Sequence, residues 1–151
     1  MSAITVIYNI EGKPVEEKDI QKSLDSLKHR GNDGSGILID RQIGFGHIMR
    51  WSTPESKLEK LPLKSPISGY VITGDIRIDN RDELIPRLLG KRDKSKITDA
   101  DIVLAAYEKW GERMLPELIG DYVFAIWDPN LQQLLCSRDS MGIKHFYYHY
   151  Q

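Results

Sequence analysis

Apolar residues in this chain change their spacing several times, and each change marks an element. Ala3-Ile4-Thr5-Val6-Ile7-Tyr8 is rich in β-branched residues and predicts a strand, with Gly12-Lys13-Pro14 as punctuation after it. Over residues 16–29 the apolar positions Ile20, Leu24 and Leu27 fall at i, i+4 and i+7, one stripe of an amphipathic helix. Gly31-Asn32-Asp33-Gly34 then forces a tight turn, because Asn, Asp and Gly tolerate left-handed backbone. Two short strands follow at 36–40 and 43–49, joined at Arg41-Gln42. Residues 51–66 carry Pro54, Pro62 and Pro66 among several charges and read as a long exposed loop.

A strand is predicted over 70–78, where Gly74 marks a bulge or a close backbone approach. A short helix over 81–89 ends at Gly90, a natural residue just past a helix end. The basic run 91–96 reads as a solvated loop. Thr98 can cap the next helix, and Asp99 and Asp101 sit in its first turn, where the helix dipole favours negative charge. That helix runs to Trp110, with Ile102, Ala105, Ala106 and Tyr107 as its buried stripe, and 112–119 adds a second helical piece interrupted at Pro116. The strand at 122–127 is almost wholly apolar, so both of its faces should be covered. Asp128-Pro129-Asn130 turns it into a hairpin with 132–137, and Met141-Gly142 leads to a final strand at 144–150. Strands, helix, strands, helices, strands is the order of an α+β fold whose sheets pack on helices, in one domain covering 1–151 without internal repeat.

Composition narrows the function. The 151 residues hold 21 Lys+Arg against 22 Asp+Glu, a formal net charge of -1, which argues against a dedicated nucleic-acid binder. A single cysteine, Cys136, excludes an internal disulfide framework and a thiolate metal cluster. No apolar run approaches the roughly 18 residues that span a bilayer, and no signal peptide is visible, so a cytoplasmic protein without membrane contact is expected.

Generic chemical motifs add little. His145 and His149, four apart on a predicted strand, would stand about 13 Å apart, too far for one metal ion. Gly44-Phe45-Gly46 lacks the strand-turn-helix setting of a phosphate cradle, and helix capping explains Asp99 with Asp101. Cys136 lies mid-strand in an apolar stretch, reads as a small buried hydrophobe, and has no adjacent base. Trp51, Trp110 and Trp127 read as core or loop anchors. No metal or cofactor is called for.

Several segments, in order, carry a family resemblance. His29-Arg30-Gly31-Asn32-Asp33-Gly34 looks like the His-Arg-Gly-Pro-Asp-Gly turn of the glutamine amidotransferase domain of asparagine synthetases. Thr73-Gly74-Asp75-Ile76 resembles that family's Asn-Gly-Glu-Ile, and Asn80-Arg81-Asp82-Glu83-Leu84 its following helix start. Thr98-Asp99-Ala100-Asp101, the stretch from Ala106 to Gly111, and the stretch from Gly120 to Asp128 continue the match. Ser137-Arg138-Asp139-Ser140-Met141-Gly142-Ile143-Lys144, then Phe146-Tyr147-Tyr148, completes it. The wording around Trp51–Ser56 and Ile76–Asn80 is most similar to divergent asparagine-synthetase-related proteins.

The resemblance implies a four-layer αββα sandwich of two antiparallel sheets between helices, the N-terminal-nucleophile hydrolase fold. It also implies glutamine hydrolysis by an N-terminal thiol whose own α-amine acts as base, aided by an oxyanion hole. The chain departs from that pattern where the chemistry sits. Ser2 holds the nucleophile position, and with Met1 retained its nitrogen is an amide and no base. Thr73 matches the oxyanion asparagine and lacks its amide donor, while Gly74 still offers a backbone N–H. The substrate-binding arginine matches Met49 by spacing, or Arg50 with a one-residue shift. Asp75 replaces a glutamate, and Asp99 matches the acid that holds the glutamine amine.

Three functions follow from the resemblance: a domain without glutaminase activity that acts structurally or as a partner of an ATP-dependent synthetase domain, a working amidohydrolase using Ser2 after loss of Met1, and a small-molecule or peptide binding module that reuses the pocket, with glutamine or a glutamine-like ligand as the expected ligand. The family's domain continues beyond the tyrosine pair and is followed by the synthetase domain, so 151 residues is one domain, slightly short at its C-terminus. With Gln151 as the native end, the last sheet keeps an unprotected edge and a homo-oligomer is expected.

Overall fold

Apolar residues occupy both faces of the strands, so each sheet needs cover on two sides. The computed structural model describes every residue from Met1 to Gln151. Strands β1 (Ala3–Tyr8), β2 (Gly34–Asp40) and β3 (Ile43–Met49) form an antiparallel sheet in the order β1-β3-β2. Strands β4 (Leu63–Lys64), β5 (Val71–Ile78), β6 (Gly120–Asp128) and β7 (Gln133–Arg138) form a second antiparallel sheet in that order. Helix α1 (Glu17–Leu27) covers the outer face of the first sheet through Ile20 and Leu24, which meet Ala3, Val15 and Ile48. Helices α2 (Arg81–Leu88) and α3 (Asp99–Trp110) cover the second, with Leu84, Ile85, Ile102 and Ala106 against Ile72, Phe124 and Ile126. Between the sheets, Ile43 and Phe45 meet Val71, Ala125 and Trp127. The result is the expected α+β sandwich, layered αββα.

Alternation within β3 explains how the layers fit. Phe45 points between the sheets, while Gly44 and Gly46 face α1. A Cβ at Gly46 would stand 2.7 Å from Thr5 Cγ2, 2.8 Å from Ile20 Cγ2 and 2.9 Å from Leu24 Cδ2. The two glycines therefore let the helix settle directly on the sheet. Helix α3 starts with a reciprocal cap: Thr98 Oγ1 accepts from the Asp101 N–H, and the Asp101 carboxylate accepts from the Thr98 N–H. Its buried surface is wider than a stripe, because Ala100, Val103 and Leu104 are buried as well while Ala105 is only half-buried. Gly74 makes no bulge, since β5 pairs with β6 in continuous register, and a Cβ there would stand 2.8 Å from Phe124 Cβ.

Four expectations need correction. Residues 144–150 form no strand. The chain leaves the line of β7 at Asp139, whose N–H donates to the Tyr122 carbonyl at 2.8 Å. The Asp139 carboxylate accepts the Ile143 and Lys144 N–H groups at 2.8 and 2.9 Å, curling the backbone away from the sheet. His145 and His149 consequently lie on an irregular segment, so strand spacing does not describe them. The stretch 51–66 is not wholly exposed loop: it contains a 3₁₀ turn at Glu55–Lys57, the short β4, and the buried Leu61. Gly111–Glu117 is 3₁₀ rather than α-helix. Cys136 is exposed, because it sits on the edge strand and lines an open cleft. No helix is long and apolar enough to cross a membrane.

Candidate functional site

A cleft of about 870 Å³ is bordered by β1, by β7 and by the segment from Lys144 to Tyr150. Ser2 lies at its wall because β1 pairs with β3 in a register that sets Ala3 opposite Ile48, bringing residue 2 to the end of β3. There the Ser2 hydroxyl accepts the Arg50 N–H at 3.0 Å and turns its own proton to the Arg50 carbonyl at 3.4 Å. The nitrogen of Ser2 is a peptide amide following Met1. Burial lowers the Met1 α-amine below its ordinary value, and Arg50, Lys144 and Arg30 push the same way against a pull from Asp75.

The second sheet supplies the opposite wall. Val71, Thr73 and Asp75 alternate along the inner face of β5. Asp75 lines the cleft and is ion-paired with Lys144, Nζ to Oδ2 at 2.8 Å, both side chains largely covered. Thr73 is fully enclosed, and its hydroxyl meets His47 Nδ1 of β3 at 3.1 Å between the sheets. Burial pushes His47 down to about 4, against a pull from Asp75, so its ring is neutral near pH 7.

The backbone of Gly74, though buried, lacks a strand partner on one edge. The Asp79 N–H donates to the Ile119 carbonyl at 2.7 Å on the β6 side of β5. Two-residue alternation then turns the amides of Arg77, Asp75 and Thr73 toward β6 and those of Ile76 and Gly74 to the other edge. On that edge β4 pairs only with Val71 and Ile72, so no strand partners the Gly74 amide.

Two further predicted residues sit outside the cleft wall. Met49 is buried in the helix-backed core, so Arg50 is the neighbour of Ser2 at this point of the chain. Asp99 lies at the start of α3, where its carboxylate pairs with the Arg81 guanidinium and faces the Ile78 N–H. Burial nevertheless holds Asp99 above the ordinary carboxylate value. Glu59 accepts the Ala100 N–H at 3.1 Å nearby, and burial together with Asp99, Asp101 and Asp75 raises it to about 7. Of the seven predicted residues the structure thus brings Ser2, Arg50 and Asp75 together, sets Thr73 and Gly74 behind them, and leaves Met49 and Asp99 elsewhere. Lys144, His47 and Arg81 were missed as site partners, although Lys144 ends the matching Ser137–Lys144 segment and Arg81 lies in the matching Asn80–Leu84 segment.

A four-layer αββα sandwich with residue 2 buried at a cleft between its sheets defines the class: an N-terminal-nucleophile-hydrolase-like domain. Within that class, the chain belongs to the family described as glutamine amidotransferase domain, which matches residues 1–151. It is 30% identical over 152 residues to amidase chry2 of Gibberella zeae, a match covering 94% of this chain and 21% of that protein. It is 27% identical over 152 residues to asparagine synthetase [glutamine-hydrolyzing] 3 of Bacillus subtilis, covering 98% and 25%. Asparagine synthetase [glutamine-hydrolyzing] 1 of the same organism is 31% identical over 134 residues, covering 88% and 21%. The chain therefore spans only about a quarter or less of the length of these relatives.

Proposed function

We propose that this chain is an amidotransferase-like domain related to those of asparagine synthetases that does not hydrolyse glutamine, and serves as a structural or binding partner of an ATP-dependent synthetase domain. One observation carries the reading: serine holds the nucleophile position, and both oxygen contacts of Ser2 go to the Arg50 backbone. A serine hydroxyl needs a base within hydrogen-bond reach to become a nucleophile, and none contacts it. Thr73, at the oxyanion position, spends its hydroxyl on His47, which leaves the Gly74 N–H as the remaining donor. The relatives named as glutamine-hydrolysing asparagine synthetases, each several times longer, motivate the synthetase partner. The cleft is the place for glutamine or a glutamine-like ligand, and the unpartnered side of the edge strand β7 is the place for self-association into a homo-oligomer, testable by light scattering.

Ammonia release from glutamine, measured together with intact mass, tests the reading. The expected result is no ammonia, from protein that retains Met1 and from protein that has lost it. Ammonia release that disappears in Ser2→Ala overturns it and favours a second reading, an amidohydrolase working after Met1 is lost. That alternative has an observation behind it: the Met1 amine already sits among Asp75, Arg50 and Lys144 with a depressed affinity for protons, and removing Met1 would hand a similar setting to the Ser2 amine.

A further inference from the structure

The first sheet stops at β1, while the second runs on to β7. Leu134 and Cys136 of β7, two apart and so on one face of that strand, line the cleft, and Cys136 stays exposed there. β1 enters the cleft differently. Ala3, Ile4, Thr5 and Val6 all line it, although successive side chains of a strand point to opposite faces. Consecutive residues share a wall only where the wall is the edge of the strand. Burial agrees: Ile4–Tyr8 are half-buried throughout, whereas every residue of β3, the neighbour of β1 in the sheet, is buried.

That edge carries unused backbone groups. The Asn9 N–H donates to the Gln42 carbonyl at 2.8 Å, continuing the pairing of β1 with β3. Two-residue alternation therefore turns the backbone of Ile7, Thr5 and Ala3 toward β3, and that of Tyr8, Val6 and Ile4 toward the cleft. β1 pairs with no second strand, and no turn or loop hydrogen bond takes up the backbone of Ile4, Val6 or Tyr8. An extended chain laid along β1 meets the N–H and C=O of all three in phase, with Val123, Leu134 and Cys136 to receive its apolar side chains.

The two ends of the cleft differ in charge. At the Tyr8 end the phenol donates to the Gln132 carbonyl at 3.2 Å, and the surrounding wall is uncharged. At the Ser2 end, Asp75 and Lys144 pair at 2.8 Å and offset each other. Arg30 makes no ion pair; its guanidinium stands 2.8 Å from Met1 Sδ, and the Met1 α-amine adds a second positive group. Antiparallel pairing is the more stable mode, and a strand antiparallel to β1 ends beside Ser2.

We propose that the cleft docks an extended peptide strand that pairs antiparallel with β1 and sets its free C-terminal carboxylate against Arg30 and the Met1 α-amine. The proposal rests on the strand edge and goes beyond the glutamine reading, so either can fail alone.

Isothermal titration with acetyl-Lys-Val-Thr-Val-Thr-Leu, which has apolar residues at alternate positions and a free carboxylate, tests this on the unaltered chain. Binding is expected, and the same peptide ending in a carboxamide should bind about tenfold more weakly. Methylating backbone nitrogens at alternate residues silences one edge of the peptide; one of the two alternate sets should cost at least about tenfold in affinity, and the other little. Ile4→Pro removes an N–H that faces the cleft and none that faces β3, which an edge strand accommodates. With a melting curve near the parent's, it should lose peptide binding by a similar factor. Arg30→Gln should erase the preference for carboxylate over carboxamide. No binding of the peptide, or equal binding of the two methylated sets, overturns the proposal. Equal binding of the acid and the carboxamide does so too, as does a folded Ile4→Pro that binds like the parent. Slow hydrogen exchange at the Ile4, Val6 and Tyr8 amides without peptide also overturns it, because the segment from His145 to Tyr150 or a second copy then already holds the edge.

Discussion

Replacing Arg81 with methionine isolates the cost of leaving Asp99 without its ion-pair partner. Asp99 is 4% exposed, and Arg81 also donates to the Ile97 carbonyl at 2.6 Å. Two charges in contact at an effective dielectric near 20 attract by about 4 kcal/mol. The lost carbonyl bond adds about 1 kcal/mol. Methionine avoids the cost of burying a guanidinium, so the net penalty should be about 3 kcal/mol, the lower end of what breaking a buried pair costs. For a domain of this size that lowers Tm by about 6–12 °C. Asp99→Asn in the Arg81→Met background should restore at least about 1.5 kcal/mol, because the stranded charge is gone.

The pH dependence supplies an independent check. Burial holds Asp99 above its ordinary value even with Arg81 present, so without Arg81 it must move higher. A raised acid in the folded state favours the protonated form; its ionisation weakens folding at neutral pH, and protonation relieves the cost as pH falls through the raised value. Urea denaturation of Arg81→Met should therefore show the largest deficit near neutrality and a shrinking one toward acid. A deficit under about 0.5 kcal/mol, the scale of an ordinary surface substitution, would refute the argument. So would a deficit that does not change with pH.

Two further outcomes follow from packing and burial. Glu59 titrates at about 7 in the folded chain against an ordinary 4.5, so stability should fall as pH rises across that window, by up to about 3 kcal/mol. Glu59→Gln keeps an acceptor for the Ala100 N–H and should remove this slope in denaturation curves; curves parallel to those of the unaltered chain would contradict it. Gly46→Ala puts a methyl against Thr5, Ile20 and Leu24 and should cost about 1–3 kcal/mol by forcing α1 off the sheet, while a melting curve unchanged from the parent would mean that the helix can shift freely.

Local pattern made most of the elements legible, because strands with alternating or continuous apolar residues and a helix with a reciprocal cap announce themselves in their own residues. Ile43–Met49 and the Thr98 cap are of that kind. What stayed hidden depends on distant partners. The segment 144–150 has strand-like residues, yet Asp139 binds the backbone of Ile143 and Lys144 and turns it away from β7. Cys136 has apolar neighbours in sequence but faces the cleft from an edge strand, where no further layer covers it. At the site, the motifs identified Ser2, Asp75 and Asp99 by position, but the neutralising cations Lys144 and Arg81 come from residues 69 and 18 positions away, and no spacing rule pairs them.

The His47–Thr73 contact has a mechanical meaning as well. Ile43, Phe45, Val71, Ala125 and Trp127 give the two sheets an oily, non-directional interface that would tolerate sliding. A directional bond between a neutral imidazole and a hydroxyl acts there as a rivet. Ser2 and Arg50 ride on one sheet, Gly74 and Asp75 on the other. A slip of one residue, about 3.3 Å, would carry the two halves of the cleft out of alignment. The enclosed His47–Thr73 contact thus helps hold the alignment of the site, with the Lys64–Asp40 and Tyr8–Gln132 contacts at the rim.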